Sequence, residues 1–265
     1  MSASSKKLDE MYPTKPMDPD QEVEPLTWLA FGLWLKGKFN MCFGPEKGVK
    51  SRTLSTILTC CIAEIPYFGG PTDDCGQVLY VLGEEHSSDV VARIRAQCID
   101  LGIDFPSIDW ADRIHFMDGA GVRLEREDRR NWFLEKTRNY DLVVFDPLRR
   151  LYSGRENSND EMGSFLTPFR QEINRRYGTE RPLTFVGVHH TGKIDELQTD
   201  LTRMANWSRG ASDLVSILDL GYFQQKYRDS EGRHCLKIYI QGRFPPIDEI
   251  KIIDRGDGTG GFLLT

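Results

Sequence analysis

The sequence predicts an α/β fold with a central, mostly parallel sheet, helices on both faces and an antiparallel C-terminal extension. Three observations point there. Short apolar runs of strand length alternate with longer segments of helical periodicity. A glycine-bearing loop, Gly44-Pro45-Glu46-Lys47-Gly48-Val49-Lys50-Ser51, joins an early apolar run to a helix-like run. Later apolar runs end on polar residues, at Gly83-Glu84-Glu85, at Asp146 and at His189-His190. The ligand edge of a parallel sheet carries side chains of this kind.

Residues 1–26 are polar and rich in proline, and are expected to form a flexible arm ahead of one domain over 27–265. Phe39–Phe43 reads as a buried strand, followed by the loop and a helix over 50–65 that Pro66 stops. Gln77–Leu82 is a second buried strand, and Ser87-Ser88-Asp89 caps a helix that runs to Gly102. Ile114–Met117 is a third strand, and a charged helix over 125–138 is expected to turn Trp132 and Phe133 inward. Asp141–Phe145, closed by Asp146, and Leu183–Val188 are further buried strands, with a helix from about Asp160 to Tyr177 between them. Beyond residue 212 the pattern changes. Val215–Gln224 and His234–Gln241 flank Asp229-Ser230-Glu231-Gly232, a hairpin turn, and two short strands follow at 248–253 and 261–264.

The 265 residues suffice for one sizeable α/β domain. A formal charge of −6 argues against a protein coated in base, though it leaves room for a local basic channel. The six cysteines show no Cys-x-x-Cys pair, and no apolar run has membrane length. The expectation is reduced thiols in a cytoplasmic protein without a membrane partner.

The loop at 44–51 has the spacing of a phosphate-binding P-loop: Gly44, Lys50 and Ser51 are in register, and Val49 holds the place of the second glycine. Backbone N–H groups at such a helix start would cradle a triphosphate. Lys50 would reach the β- and γ-phosphates and Ser51 would hold Mg²⁺. A β-branched residue resists positive φ, so weaker nucleotide binding than with glycine is expected, with Gly48 taking over part of the turn. Asp146, ending a buried strand, is a candidate for holding a Mg²⁺-bound water. Glu84 or Glu85 could orient the attacking water, and since neighbouring residues point to opposite sides, one of them is expected to do so. A single histidine of the pair 189–190 could report a γ-phosphate to the next loop. Two neighbouring histidines cannot face one metal from a regular strand, which argues against zinc. Arg243, in Gln241-Gly242-Arg243, is a candidate for an arginine finger reaching a neighbouring subunit, with Arg209 as its rival.

Taken together, these features resemble the RecA-fold ATPases, specifically the RepA-type plasmid and phage replicative helicases, with DnaB and KaiC ATPases as looser relatives. The resemblance covers about residues 27–265 and rests on Gly44–Ser51, Gly83-Glu84-Glu85, Asp141–Pro147, Asn157–Met162, His189–Lys193, Arg209–Ser212 and Tyr239–Arg243. It implies a homo-oligomeric ring, a hexamer, with ATP sites between subunits. By match, the nucleotide contacts fall on Gly44 to Arg52. Lys50, Glu84 and Asp146 act in one subunit, His189 senses phosphate, and Arg243 acts in trans. Gln241 stands where DnaB-like members carry a lysine. The resemblance further implies single-stranded DNA in the channel and primase or other replication proteins as partners. The loops that would face DNA mix Arg155, Lys193 and Arg203 with Glu156, Asp160, Asp195, Glu196 and Asp200, so the charge signal is weak. Two other readings fit the same residues: a degenerate P-loop recombination mediator with little ATPase activity, and a KaiC-like regulatory ATPase.

Overall fold

The computed structural model describes residues 16–20, 25–47, 49–154, 159–191, 212–243, 249–254 and 262–264. Most of the expected arm, Gly48, Arg209 and the basic residues of the two candidate DNA loops lie outside these.

A small antiparallel ribbon, β1 (Trp28–Ala30) and β2 (Trp34–Leu35), precedes the main sheet. β3 (Phe39–Gly44) leads through the loop into α1 (Lys50–Ala63). β4 (Val78–Leu82) leads into α2 (Ser87–Leu101), where Gly102 at φ 70° ends the helix in the left-handed conformation expected of a C-terminal glycine. The helix start falls one residue earlier than read from sequence. His86 is the N-cap and Asp89 completes a capping box. A single turn, α3 (Trp110–Arg113), precedes β5 (Ile114–Asp118), and α4 (Glu127–Lys136) precedes β6 (Leu142–Asp146). A 3-10 turn over Leu148–Leu151 separates β6 from α5 (Asn159–Arg176). β7 (Thr184–His190), α6 (Ser212–Ile217), β8 (Leu220–Arg228), β9 (His234–Gly242), β10 (Glu249–Asp254) and β11 (Phe262–Leu264) are the remaining elements of the described residues.

The nine-stranded sheet has the order β11-β10-β9-β8-β3-β7-β6-β4-β5. From β8 to β5 every pairing is parallel. β8 to β11 pair antiparallel, which is the C-terminal extension expected from sequence.

Strand periodicity sorts the core into two layers. Cys42, Tyr80, Val144, Val186 and Val188 face α1 and α2, against Leu54, Ile57, Leu58, Val90 and Ile94. Met41, Phe43, Val81, Phe145 and Phe185 face the opposite layer, against Phe133, Phe165, Phe169 and Leu214 of α4 to α6. Aromatic contacts dominate there: Phe145 stacks on Phe185 with centroids 5.4 Å apart, and Phe169 meets both edge-on.

Two expectations are corrected. Phe133 is fully buried, but Trp132 is 53% exposed, because adjacent residues on a helix lie on different faces and α4 has one covered side. The segment from Val215 to Ile217 is helical and the strand starts at Leu220. Leu214 and Leu218 stand four residues apart, the helical spacing, and both enter the aromatic layer. No helix among the described residues is long and apolar enough to cross a membrane.

Candidate functional site

The C-terminal ends of β3, β4, β6 and β7 converge on a cleft of about 320 Å³. Lys47, Val49, Lys50, Ser51 and Arg52 line it together with Glu84, Glu85, Arg93, Asp146, Pro147, Val188 and His190.

β3 delivers the loop at Gly44, where a Cβ would meet Gln224 O at 2.9 Å and Lys50 Cδ at 3.3 Å. Only glycine fits that approach. Pro45, Glu46 and Lys47 are exposed on the loop. Lys47 takes φ 57° and Val49 takes φ 59°, ψ 19°. The valine therefore adopts the left-handed conformation that the motif gives to glycine. That conformation is costly for a β-branched residue, and the structure holds it nonetheless. Val49 also packs against the core beneath α1, so the methyls that strain the backbone contribute apolar contact.

Val49 is the N-cap of α1, with no side-chain cap and no acidic residue in the first turn. The first N–H groups of a helix lack intrahelical partners and carry partial positive charge. They suit an anion. Lys50 is 4% exposed, and its Nζ donates to Gly44 O at 3.0 Å and Pro45 O at 2.6 Å. Burial lowers its ammonium pKa, opposed by Cys42, Asp146, Glu46 and Glu84 nearby. The lysine thus folds back over the loop.

Ser51 Oγ donates to Asp146 Oδ1 at 3.1 Å, and Tyr80 donates its hydroxyl to Asp146 Oδ2 at 2.7 Å. Asp146 is 6% exposed. Burial raises its carboxyl pKa, while the hydrogen bonds from Tyr80 and Ser51 pull the other way. A hydroxyl and a carboxylate are hard oxygen donors, and the residues present fit Mg²⁺. Among the described residues no group of three or more His, Cys, Asp or Glu forms an all-protein metal site. One carboxylate and one hydroxyl suit an ion that arrives on phosphate oxygens.

Glu84 and Glu85 diverge, as their adjacency requires. Glu84 is exposed and accepts from Arg150 Nε at 2.7 Å, whereas Glu85 pairs with Arg93 Nη2 at 2.6 Å. Gly83 permits the closeness of the two strand ends: a Cβ there would meet Arg150 Cβ at 2.8 Å and Pro147 Cδ at 3.0 Å.

The histidine assignment is corrected. His189 is 2% exposed and lies edge-on to Phe43, 6.0 Å between ring centroids. It shares strand parity with Phe185 and faces the aromatic layer. His190 shares parity with Val186 and Val188 and lines the cleft. Burial and the Lys50 charge lower the His190 pKa below the ordinary histidine range.

Arg243 is exposed and lies at the other end of the sheet. Its neighbour Gly242 pairs with Leu220, which pairs with Asn40 of β3. Gly44 is four residues farther along β3, roughly 13 Å, and β9 is two strands away, about 10 Å. Arg243 cannot reach the cleft of its own chain. Sequence reasoning missed Tyr80, Arg93 and Arg150. Tyr80 does carry one signal, a lone hydroxyl inside the apolar strand Val78–Leu82, which when buried needs an acceptor.

Fold and site define a RecA-like α/β protein with a P-loop at the carboxyl edge of its parallel strands. The chain belongs to the AAA domain family, whose model matches residues 8–196. Its fold is similar to that of a solved ATPase domain, with a TM-score of 0.62 and 15% identity over 99% of this chain and 97% of that one. A comparison with curated proteins returned no match.

Proposed function

We propose that this chain is an ATP-hydrolysing motor of the ring-forming replicative helicase type, acting on single-stranded DNA in phage or plasmid replication. The observation that carries the reading is the meeting of the P-loop and the β6 acid: Ser51 Oγ lies 3.1 Å from Asp146 Oδ1, with Lys50 and Glu84 on the same cleft. The residues 44–52 would hold the triphosphate, with Lys50 leaving the loop carbonyls for phosphate oxygens. Ser51 and Asp146 would hold the metal, and Mg²⁺ would neutralise charge on the phosphates. Glu84 would orient the attacking water once released from Arg150. Neutral His190 would contact the γ-phosphate by hydrogen bond and relay its presence to the segment after β7.

Arg243 lies too far from its own cleft to act there, so in this reading it acts in trans on a second copy within a homo-oligomeric ring, proposed as a hexamer. Single-stranded DNA, primase or other replication proteins, and a cytoplasmic setting belong to the same proposal. The test is phosphate release by the purified protein with Mg²⁺, with and without single-stranded DNA. DNA-stimulated turnover that Lys50→Ala abolishes is expected. Turnover equal in both proteins would reject the motor.

One observation favours a second reading, a nucleotide- or DNA-binding assembly protein with little hydrolysis. Val49 lines the cleft in a strained left-handed conformation. ATP binding without phosphate release, with or without DNA, would select it.

A further inference from the structure

Asp146 has both carboxylate oxygens engaged, and only one donor comes from the loop. The other is Tyr80, at the middle of β4 and fully buried. Its ring packs in the layer under α1 and α2 and lies 5.9 Å from Phe116. A phenylalanine would fill the same space. What the hydroxyl adds is the 2.7 Å bond to Asp146 Oδ2. Register explains the reach: Tyr80 pairs with Val144 and Leu82 pairs with Asp146, so the phenol extends along the sheet surface toward the strand end. The bond fixes one carboxylate oxygen and leaves the other turned to Ser51 and the cleft. Arg93 and Glu85, paired with each other, flank the same carboxylate and add opposed charges.

We propose that Tyr80 is a positioning residue for the metal–nucleotide site, clamping Asp146 so that its second oxygen stays presented beside Ser51. The inference rests on the nucleotide-binding reading of the cleft. A carboxylate with two free rotational states loses part of its affinity for a metal when it must be ordered on binding, and an outer hydrogen bond removes that loss.

The experiment is binding of a fluorescent ATP analogue, first in EDTA and then titrated with MgCl₂. It uses the full chain and its Tyr80→Phe, Ser51→Ala, Asp146→Asn and Tyr80→Phe/Asp146→Asn variants. Tyr80→Phe is expected to bind as the unaltered chain does in EDTA, while its Mg²⁺ midpoint rises roughly 10–100-fold, the usual scale for an outer-shell ligand partner. In the Asp146→Asn background the same change should add no further rise, since Tyr80 acts through that carboxylate. An unshifted midpoint in Tyr80→Phe, or an equal further rise in the double variant, overturns the proposal. An unshifted midpoint in Ser51→Ala sinks the reading of the cleft itself, and the Tyr80 proposal with it. Should Tyr80→Phe not fold, the near-isosteric Tyr80→3-fluorotyrosine gives a second readout. Its ¹⁹F resonance is expected to move when Mg²⁺ joins the nucleotide complex, and a resonance that stays put overturns the proposal.

Discussion

Arg150 Nε donates to Glu84 Oε1 at 2.7 Å, tying the acid beyond β4 to the short helical turn after β6. Both side chains are largely open to solvent, at 58% and 42% relative exposure, so the pair is breakable. It occupies the carboxylate proposed to orient water. Arg150→Ala is therefore expected to raise DNA-independent phosphate release, by no more than about fivefold, since an exposed pair contributes ~1 kcal/mol or less. Steady-state turnover without DNA checks this, and a fall would place Arg150 among the groups that assist hydrolysis.

Val49→Gly exchanges one cost for another. Relief of the left-handed valine stabilises by ~1–2 kcal/mol, against ~1 kcal/mol of added chain entropy for glycine and some lost apolar contact. Thermal stability should change little. A side chain that lines the cleft is removed, so ATP affinity and turnover should rise. Isothermal titration and a melting curve on the same sample separate the two effects.

The two histidines should part by phenotype. His190→Asn is expected to keep nucleotide binding and lose turnover by roughly 10²-fold, the scale for one preorganised hydrogen-bond donor. Replacing His189, enclosed against Phe43, should instead show as a lower melting temperature, with ~1–3 kcal/mol lost.

Asp141, at the foot of β6, gives a pH prediction. Burial pushes its carboxyl up, but the hydrogen bonds from Arg181 at 2.8 and 2.9 Å, with Gln77 N–H, win and hold it below the usual range. A depressed carboxyl stabilises the fold above its unfolded pKa and loses that contribution as pH falls through the folded value. Arg181→Ala should cost about 1 kcal/mol or less at pH 7, because Arg181 is half exposed. The difference from the unaltered chain should shrink as pH drops below about 4. Denaturant melts at several pH values measure it, and a constant difference would mean the pair does not set stability.

Much of this site is legible in the chain itself. Spacing and strand ends mark Gly44, Lys50, Ser51 and Asp146, and the fold brings them together as that pattern requires. The strand-end rule also puts Glu84 on the cleft. What stays illegible follows from period two. Within β7 the sequence shows that His189 and His190 face opposite ways, but not which face carries α1; only register against β6 and β3 decides it. The inward expectation for Trp132 fails because apolar character alone cannot say which side of α4 is covered. Tyr80 and Arg150 are hydrogen-bonded to partners 66 residues away in sequence, a separation no local pattern encodes.

The central claim is that a nucleotide's phosphates enter the helix start above Gly44 and draw Lys50 off the loop. A crystal structure grown with Mg²⁺ and a non-hydrolysable ATP analogue tests it most directly. The account predicts phosphate density against the first turn of α1, with Lys50 Nζ moved from the Gly44 and Pro45 carbonyls onto phosphate oxygens. Saturating analogue with Lys50 still bound to those two carbonyls, and the cleft filled by solvent alone, would contradict it.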